Sequence, residues 1–416
     1  MLIGILLKRT FAHNFTDDQR VTIIGGGPVG SALACSLAQQ KIPSRIIDRI
    51  PLNFFLSDTN SDCRAIALSP ASKNFLDHLD IWTTIKFMAC PINQVQTVHG
   101  STGTTVTFDE STNNPLGYII PMSLLRQKIA HRVKDYSDTI EWVEGSLASL
   151  DKDHTFITTH LKDGRSFRSS LVIGADGKNS FVRNLGQFET THHPYGKDAI
   201  VCTYEHTNDH QNIAWEIFRE DGPFALLPMT DNRSSLVWSV DHAIAQSLRE
   251  ASDEVFDQIL SHELSPYLKN PKRISPRWIY PLSLHFVTHV QKEGIVLIGD
   301  AAHVIHPLAG QGVNIGFKDA ATLGEILNEH FQIGLSLSDP VAHEKYERWR
   351  RFDTFSMILA TDGLERLFGH HNPFIKKMRD IGLKMVDRNK GLKGLLSKNA
   401  MGTLGNLPQF LKEKVS

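Results

Sequence analysis

The run from Ile295 to Asp319 constrains this chain more than any other. Four apolar residues, Ile295-Val296-Leu297-Ile298, end in Gly299-Asp300, and after Ala301-Ala302-His303-Val304-Ile305 a Pro/Gly-rich loop, His306-Pro307-Leu308-Ala309-Gly310-Gln311-Gly312, leads into Val313-Asn314-Ile315-Gly316-Phe317-Lys318-Asp319. An apolar run closed by Gly-Asp predicts a buried parallel strand, and a glycine loop opening a helix predicts a helix N-terminus presented to a phosphate- or ribityl-bearing cofactor. Asp300 at the strand end can accept hydrogen bonds from ribityl hydroxyls, while Gly310, Gly312 and Gly316 would let backbone N–H groups come close to a cofactor ring. Negative charge developing on that ring would be stabilised by the helix N-terminus near Asn314.

A second strand-turn-helix signal stands near the start. Val21-Thr22-Ile23-Ile24 runs into Gly25-Gly26-Gly27-Pro28-Val29-Gly30 and then an apolar-periodic segment from Ser31 to Gln40. Gly25, Gly27 and Gly30 fit the dinucleotide-binding turn: one for the tight turn, one for approach of a pyrophosphate, one for helix-strand packing. The next apolar run, Arg45-Ile46-Ile47, ends in Asp48, at about the spacing of the acidic residue that binds an adenosine ribose. The third signal is Ser170-Leu171-Val172-Ile173-Gly174-Ala175-Asp176-Gly177, again an apolar strand delivering an acidic turn, with Ser180 placed as a cap.

These three segments, in this order, resemble the flavoprotein aromatic hydroxylases of the p-hydroxybenzoate hydroxylase type. More narrowly, His306 to Gly312 with Asn314, Gly316 and Asp319 resembles the signature of the ubiquinone-biosynthesis hydroxylases. The resemblance implies FAD held by Gly25, Gly27, Gly30, Asp48, Asp176, Gly299, Asp300, Gly310, Gln311, Gly312 and Asn314. The family often carries Glu where Asp48 stands, a longer reach to the ribose. Arg64, within Arg64-Ala65-Ile66-Ala67-Leu68, matches a segment that lies beside the flavin, and a guanidinium can hold a flavin carbonyl or a phosphate oxygen. Arg126 stands near a matching helix start and is a candidate cofactor contact or a solvated residue. His306 and Pro307 are expected near the flavin, and no residue is assigned as catalytic base. Reduced nicotinamide, NAD(P)H or another donor, would reduce the FAD, and O2 would supply one oxygen to the ring of a prenylated phenol of the ubiquinone pathway. The flavin carries that oxygen chemistry, so no catalytic dyad need appear in the chain.

The implied fold class is α/β, α+β overall: a Rossmann-like FAD-binding domain with an inserted antiparallel-sheet substrate domain and C-terminal helices. Strand-helix signals place the discontinuous FAD domain at 20–87, 118–185 and 282–335, and the substrate domain at 88–117 and 186–281. Within the latter, 211–218, 224–228 and 235–240, with a turn at 221–223, alternate as an antiparallel meander that would roof the flavin. Trp215, Phe218, Phe224 and Trp238 either line an aromatic pocket or form ordinary core. Residues 1–19 read as a disordered extension or a start placed too early, and 336–416 as a helical, basic region. There, Phe374, Met378, Ile381 and Met385 recur at helical spacing beside Lys376, Lys377, Arg379 and Lys384, the pattern of a basic amphipathic helix that either packs its stripe on its own domain or docks to an anionic membrane or a quinone-biosynthesis complex.

Charge and cysteines narrow the remaining classes. With 44 Lys and Arg against 45 Asp and Glu, there is no global field for nucleic acid. Cys35, Cys63, Cys90 and Cys202 lack Cys-x-x-Cys spacing and read as reduced thiols, consistent with a cytoplasmic protein peripheral on the inner face of the membrane. His303 and His306 with Asp300 are spaced too closely for a helix-borne metal site, so no metal is expected. A nucleophile elbow and the Trp-x-Trp-x-Ile-Pro motif of flavin halogenases are both absent. A prenyl reductase of the same fold, a phenol hydroxylase, or a non-catalytic FAD-binding scaffold remain as alternatives.

Overall fold

The computed structural model describes residues 16–57, 64–99, 103–109, 114–219, 221–305, 311–369 and 389–414. His306, Pro307, Gly310, Cys63 and the stripe Phe374–Met385 lie outside the described residues.

One half of the fold is built on a mostly parallel sheet. Its strands are β1 (Val21–Ile24), β2 (Ser44–Asp48), β8 (Ile140–Glu144), β12 (Val172–Gly174) and β20 (Ile295–Leu297), with β19 (Gln291–Lys292) antiparallel at one edge; the spatial order is β19-β20-β12-β1-β2-β8. The order reverses at β1, so the crevice beyond the carboxyl ends of these strands is where a ligand of such a sheet binds. Ile23 pairs with Ile46 on one side and Ile173 on the other, and all three are fully buried, as expected for strands covered on both faces.

Helices α1 (Pro28–Gln39) and α9 (Gly312–Gln332) pack face to face on this sheet. Gly316 meets the side chain of Val29 and Gly324 meets Ser36 Oγ, so α9 presents glycines where α1 presents side chains. This corrects the expected role of Gly316: a side chain there would strike Val29, and the glycine brings two helices together rather than opening the backbone to a ring. Beyond α9, the long α10 (Pro340–Gly369) and a helix at Lys390–Ala400 complete the chain, and Leu411 and Phe410 return to cover α3 (Pro70–His78).

Residues 16–19 pack on the sheet for an electrostatic reason. Arg45 on β2 is buried, and its guanidinium is held by Asp17 and Glu141 at 2.5 and 2.9 Å. A buried guanidinium needs its counter-charges, so residues 16–19 are part of the fold and not an extension from it.

The second half is a large, mostly antiparallel sheet. In spatial order it runs β21 (His303–Val304), β18 (Trp278–Val287), β13 (Thr190–Glu205), β16 (Arg233–Asp241), β15 (Pro223–Met229), β14 (Ile213–Phe218), β5 (Gln94–His99) and β6 (Thr105–Asp109), with β17 (Lys272–Arg273) beside β13. The expected meander is β14-β15-β16. One face of this sheet buries Phe224, Leu226, Leu236 and Trp238 under α7 (His242–Glu250) and α8 (Asp253–Leu264). The other turns Leu227, Met229 and Ala214 onto a small sheet of β3 (Ala65–Leu68), β7 (Gly117–Pro121) and β4 (Cys90–Ile92). A three-stranded sheet of β9 (Leu147–Lys152), β10 (Ile157–Leu161) and β11 (Ser166–Ser169) flanks the parallel sheet.

Candidate cofactor and substrate site

The turn after β1 is built for a backbone approach. Gly25 has φ +109°, and a Cβ there would strike the carbonyl of Ala175 at the end of β12. Gly30 sits against the carbonyl of Gly25, whereas Gly27, at the N-cap of α1, has nothing within 4 Å of the space a side chain would take. Two of the glycines are therefore required by the fold itself, and the third leaves open space at a helix N-terminus, which is where a pyrophosphate binds. Asp48 ends β2 and accepts the N–H groups of Gly26 at 2.6 Å and Ile50 at 2.8 Å. Its carboxylate is thereby locked to the glycine turn. Arg126, on α5 (Met122–Asp135), lines a recess with Gly26, Gly27, Pro28 and Trp142. Gly26 and Trp142 went unnoticed in the sequence: a side chain at Gly26 would collide with the indole ring. Only the pairing of β2 with β8 reveals that contact.

Asp176 forms a cap. Its carboxylate accepts Ser180 Oγ at 2.5 Å and the N–H groups of Phe181 and Val182 at 2.6 and 3.1 Å, opening the short helix α6 (Phe181–Leu185). Arg183, buried behind that cap, donates to the carbonyls of Ala301 at 3.0 Å and Lys178 at 2.8 Å. The Asp-Gly loop is thus tied to the Gly299 turn by an arginine whose position in the sequence carried no distinguishing signal.

The turn after β20 contains the densest electrostatics. Gly299 has φ +59° and donates its N–H to Asp319 Oδ2 at 2.9 Å. His303 Nε2 lies 2.6 Å from that same oxygen, and Arg350 Nε lies 2.7 Å from Oδ1. Burial alone would raise the Asp319 carboxyl, but His303 and Arg350 overcome it and hold the group down to about 2. His303 therefore belongs to a buried charge cluster behind the loop. Asn314 is also committed: its side chain accepts from the N–H of Ser69 and donates to the carbonyl of Ala67, each at 2.9 Å, joining α9 to β3. Gln311 is the N-cap residue of α9 and Gly312 its first residue, with open space around Gly312.

Asp300 differs from Asp319. Its side chain is solvent-accessible, yet enclosure by surrounding protein raises its pKa, opposed by His303, Arg64 and Lys178. An acid that solvent can touch but that is hemmed in at longer range sits on the floor of a concavity. Arg64 and Lys178 supply positive charge there, from two other segments of the chain. Open glycine backbone, a helix N-terminus, a recessed carboxyl and neighbouring cations are what an anionic dinucleotide with a polyol arm requires, so these residues fit FAD.

The comparisons agree with that geometry. Residues 18–350 match the family model described as FAD binding domain. The chain is 35% identical to the ubiquinone hydroxylase UbiL of Rhodospirillum rubrum over 386 residues, covering 92% of this chain and 90% of the relative. The chain belongs to the FAD-dependent hydroxylases of ubiquinone biosynthesis. It is also 31% identical to the 3-demethoxyubiquinol 3-hydroxylase of Escherichia coli, over 92% of this chain and 98% of that one. In fold, it is similar to the p-nitrophenol 4-monooxygenase PnpA of Pseudomonas putida, with a TM-score of 0.76 at 16% identity over 92% of this chain and 98% of that one.

The four aromatic candidates separate by face. Phe224 and Trp238 stack edge-on at 5.9 Å within the core under α7 and α8, and Trp215 packs on Tyr267 at 5.1 Å. Those three are core. The opposite face of the same strands meets the sheet of β3, β4 and β7. No cluster of potential metal ligands occurs among the described residues.

Proposed function

We propose that this protein is a FAD-dependent monooxygenase that hydroxylates the ring of a prenylated phenol in ubiquinone biosynthesis, on a substrate like 2-octaprenyl-6-methoxyphenol. The observation that carries this reading is the coincidence of near full-length similarity to ubiquinone-pathway hydroxylases with a recessed Asp300 at the carboxyl end of the parallel sheet. Bound FAD supplies the oxygen chemistry. The residues of the chain provide the rest. Gly27 and the α1 N-terminus receive the pyrophosphate, Asp48 the ribose, and Arg126 a phosphate or ring oxygen. Asp300 accepts hydroxyls of the ribityl arm, and the α9 N-terminus at Gln311 and Gly312, held by Asn314, faces the electron-rich edge of the ring. His306 and Pro307 are placed beside it by the sequence resemblance alone. The large sheet meets the sheet of β3, β4 and β7 through apolar side chains, which supports a site kept from water.

The electron donor in this reading is NAD(P)H, and the substrate is collected from lipid. Among the described residues no helix is long and apolar enough to cross a membrane. Phe352, Phe355 and Leu359 are exposed on α10 and lead toward a segment rich in Lys and Arg, which supports docking of the C-terminal region on an anionic surface or a membrane-bound partner. Co-sedimentation with anionic liposomes at low and high salt, comparing the full chain with a truncation after Gly369 that still holds FAD, tests it; equal binding removes the tail as anchor.

Purified protein is expected to be yellow with noncovalent FAD, and Asp300→Ala to retain less of it. Substrate-dependent NAD(P)H oxidation in 18O2 should label the hydroxylated product. An unlabelled product would end the monooxygenase reading, and exclusive turnover of unprenylated phenols would end the pathway reading.

A further inference from the structure

We propose that Glu216 is the carboxyl that takes the proton of the substrate's phenolic hydroxyl; this rests on the hydroxylase reading above. Strand parity places it. Trp215 and Ile217 pack in the core beneath α7 and α8, so Glu216 between them points to the opposite face of β14, the face that meets the sheet of β3, β4 and β7. The register sets Ala225 of β15 on one side of it and Thr97 of β5 on the other. Leu227, Met229 and Ala214 on the same face pack against Ile92 and Ile119, giving apolar walls.

Polar groups converge on that apolar face. Glu216 has no hydrogen-bond or ion-pair partner among the described residues. The hydroxyls of Ser235 and Ser239, on the same face by parity with Val237, are buried and also without a partner. Unsatisfied polar groups beside apolar walls are what a ligand site presents, and a packed core leaves few of them. The side chain of Glu216 is partly accessible but enclosed by protein, and that enclosure alone pushes its carboxyl up to about 7. The titratable groups around it are few. His99 occupies the same face by register, opposite Phe218. From the facing sheet come the Cys90 thiol, which burial pushes up to about 11, and Arg64 at the head of β3, which acts on Asp300.

The step balances without an oxidant. The phenol O–H bond breaks, its proton passes to a carboxylate oxygen of Glu216, and the electron pair remains on the phenol oxygen. That pair raises electron density at the ring carbons ortho and para to it, the positions that accept an electrophilic oxygen. The proton later leaves Glu216 to water. Above about pH 7 the carboxylate is ready to accept; below it, the acid is neutral and cannot.

The test uses FAD-loaded wild type, Glu216→Gln and Glu216→Asp with a short-chain prenylated methoxyphenol. Probe binding is followed by flavin absorbance, and kcat/KM is measured from pH 5.5 to 8.5. Wild-type kcat/KM should fall about tenfold per pH unit below the carboxyl's pKa. Glu216→Gln should lose about 10²–10⁴-fold in rate and lose the break, with Glu216→Asp restoring the break at an intermediate rate. A Glu216→Gln enzyme that holds FAD and keeps the wild-type pH profile overturns the proposal. If Glu216→Gln fails to retain FAD, Glu216→Asp decides: an unmoved break at full rate overturns the proposal, and a shifted break with a lower rate supports it. If wild type turns over no prenylated phenol, the hydroxylase reading fails, and Glu216 is judged by binding alone. Probe affinity that rises through pH 7 in wild type but not in Glu216→Gln supports it, and identical profiles overturn it.

Discussion

Two enclosed carboxyls, one in each half of the molecule, behave in opposite ways. Asp319, in the cofactor half, receives the Gly299 N–H, His303 and Arg350 and stays ionised, with its pKa held to about 2. Glu216, in the large antiparallel sheet, has no partner among the described residues and is pushed up to about 7. Desolvation penalises the charged form of both. What separates them is whether donors and cations were built around the group. Satisfied, a buried carboxylate is a fastener that fixes a turn; left unsatisfied, it holds its proton to higher pH and is free to exchange it.

The largest expected effect comes from breaking the fastener. Asp319→Ala leaves the buried Arg350 without its main counter-charge and Gly299 without an acceptor. It should cost about 3–5 kcal/mol in denaturant unfolding and strip FAD. A loss under about 1 kcal/mol would mean that Asp319 and Glu216 are not different in kind.

The glycine turn sharpens the same distinction between groups needed by the fold and groups needed by the ligand. Gly25→Ala forces a side chain at φ +109° into the Ala175 carbonyl and should destabilise the apoprotein by about 1–3 kcal/mol. Gly27→Ala meets open space and should leave the apoprotein melting temperature unchanged while weakening FAD retention. Equal melting temperatures for the two variants would remove the distinction.

The smallest effect is in the pH dependence of stability, where the two acids have opposite signs. The folded pKa of Asp319 is depressed, so its contribution is present above the unfolded value, about 4, and is lost as pH falls toward 2. The folded pKa of Glu216 is raised, so the folded state holds a proton that the unfolded chain releases. Its ionisation therefore costs stability as pH rises from about 4.3 through about 7. Thermal melts should show Glu216→Gln gaining stability over wild type between pH 5 and pH 8. A parallel pair of curves would place Glu216 in ordinary solvent.

Local pattern was enough for the strand-turn-helix units. The apolar runs ending at Ile24, Asp48, Gly174 and Leu297 became the parallel strands, and the alternation around 213–240 became the meander, because burial on two faces or one leaves its period in the chain. Glu216 did leave a trace, a charge at the parity of Ala214 within Ile213–Phe218. Its meaning stayed hidden until the register showed which face was covered by α7 and α8 and which met the sheet of β3, β4 and β7.

What the amino-acid sequence determined by itself was the class of fold and the dinucleotide turn, since strand period, glycine spacing and strand-end acids are properties of contiguous residues; the cofactor followed from the family resemblance those residues carry. Only the tertiary structure decided that Gly316 serves helix packing, that His303 belongs to Asp319, that Arg350 reaches back from α10 to neutralise it, and that Trp142 requires Gly26. Those pairs are separated in the chain and joined by packing. Whether a carboxyl is fastener or reactive group is set by what surrounds it in space.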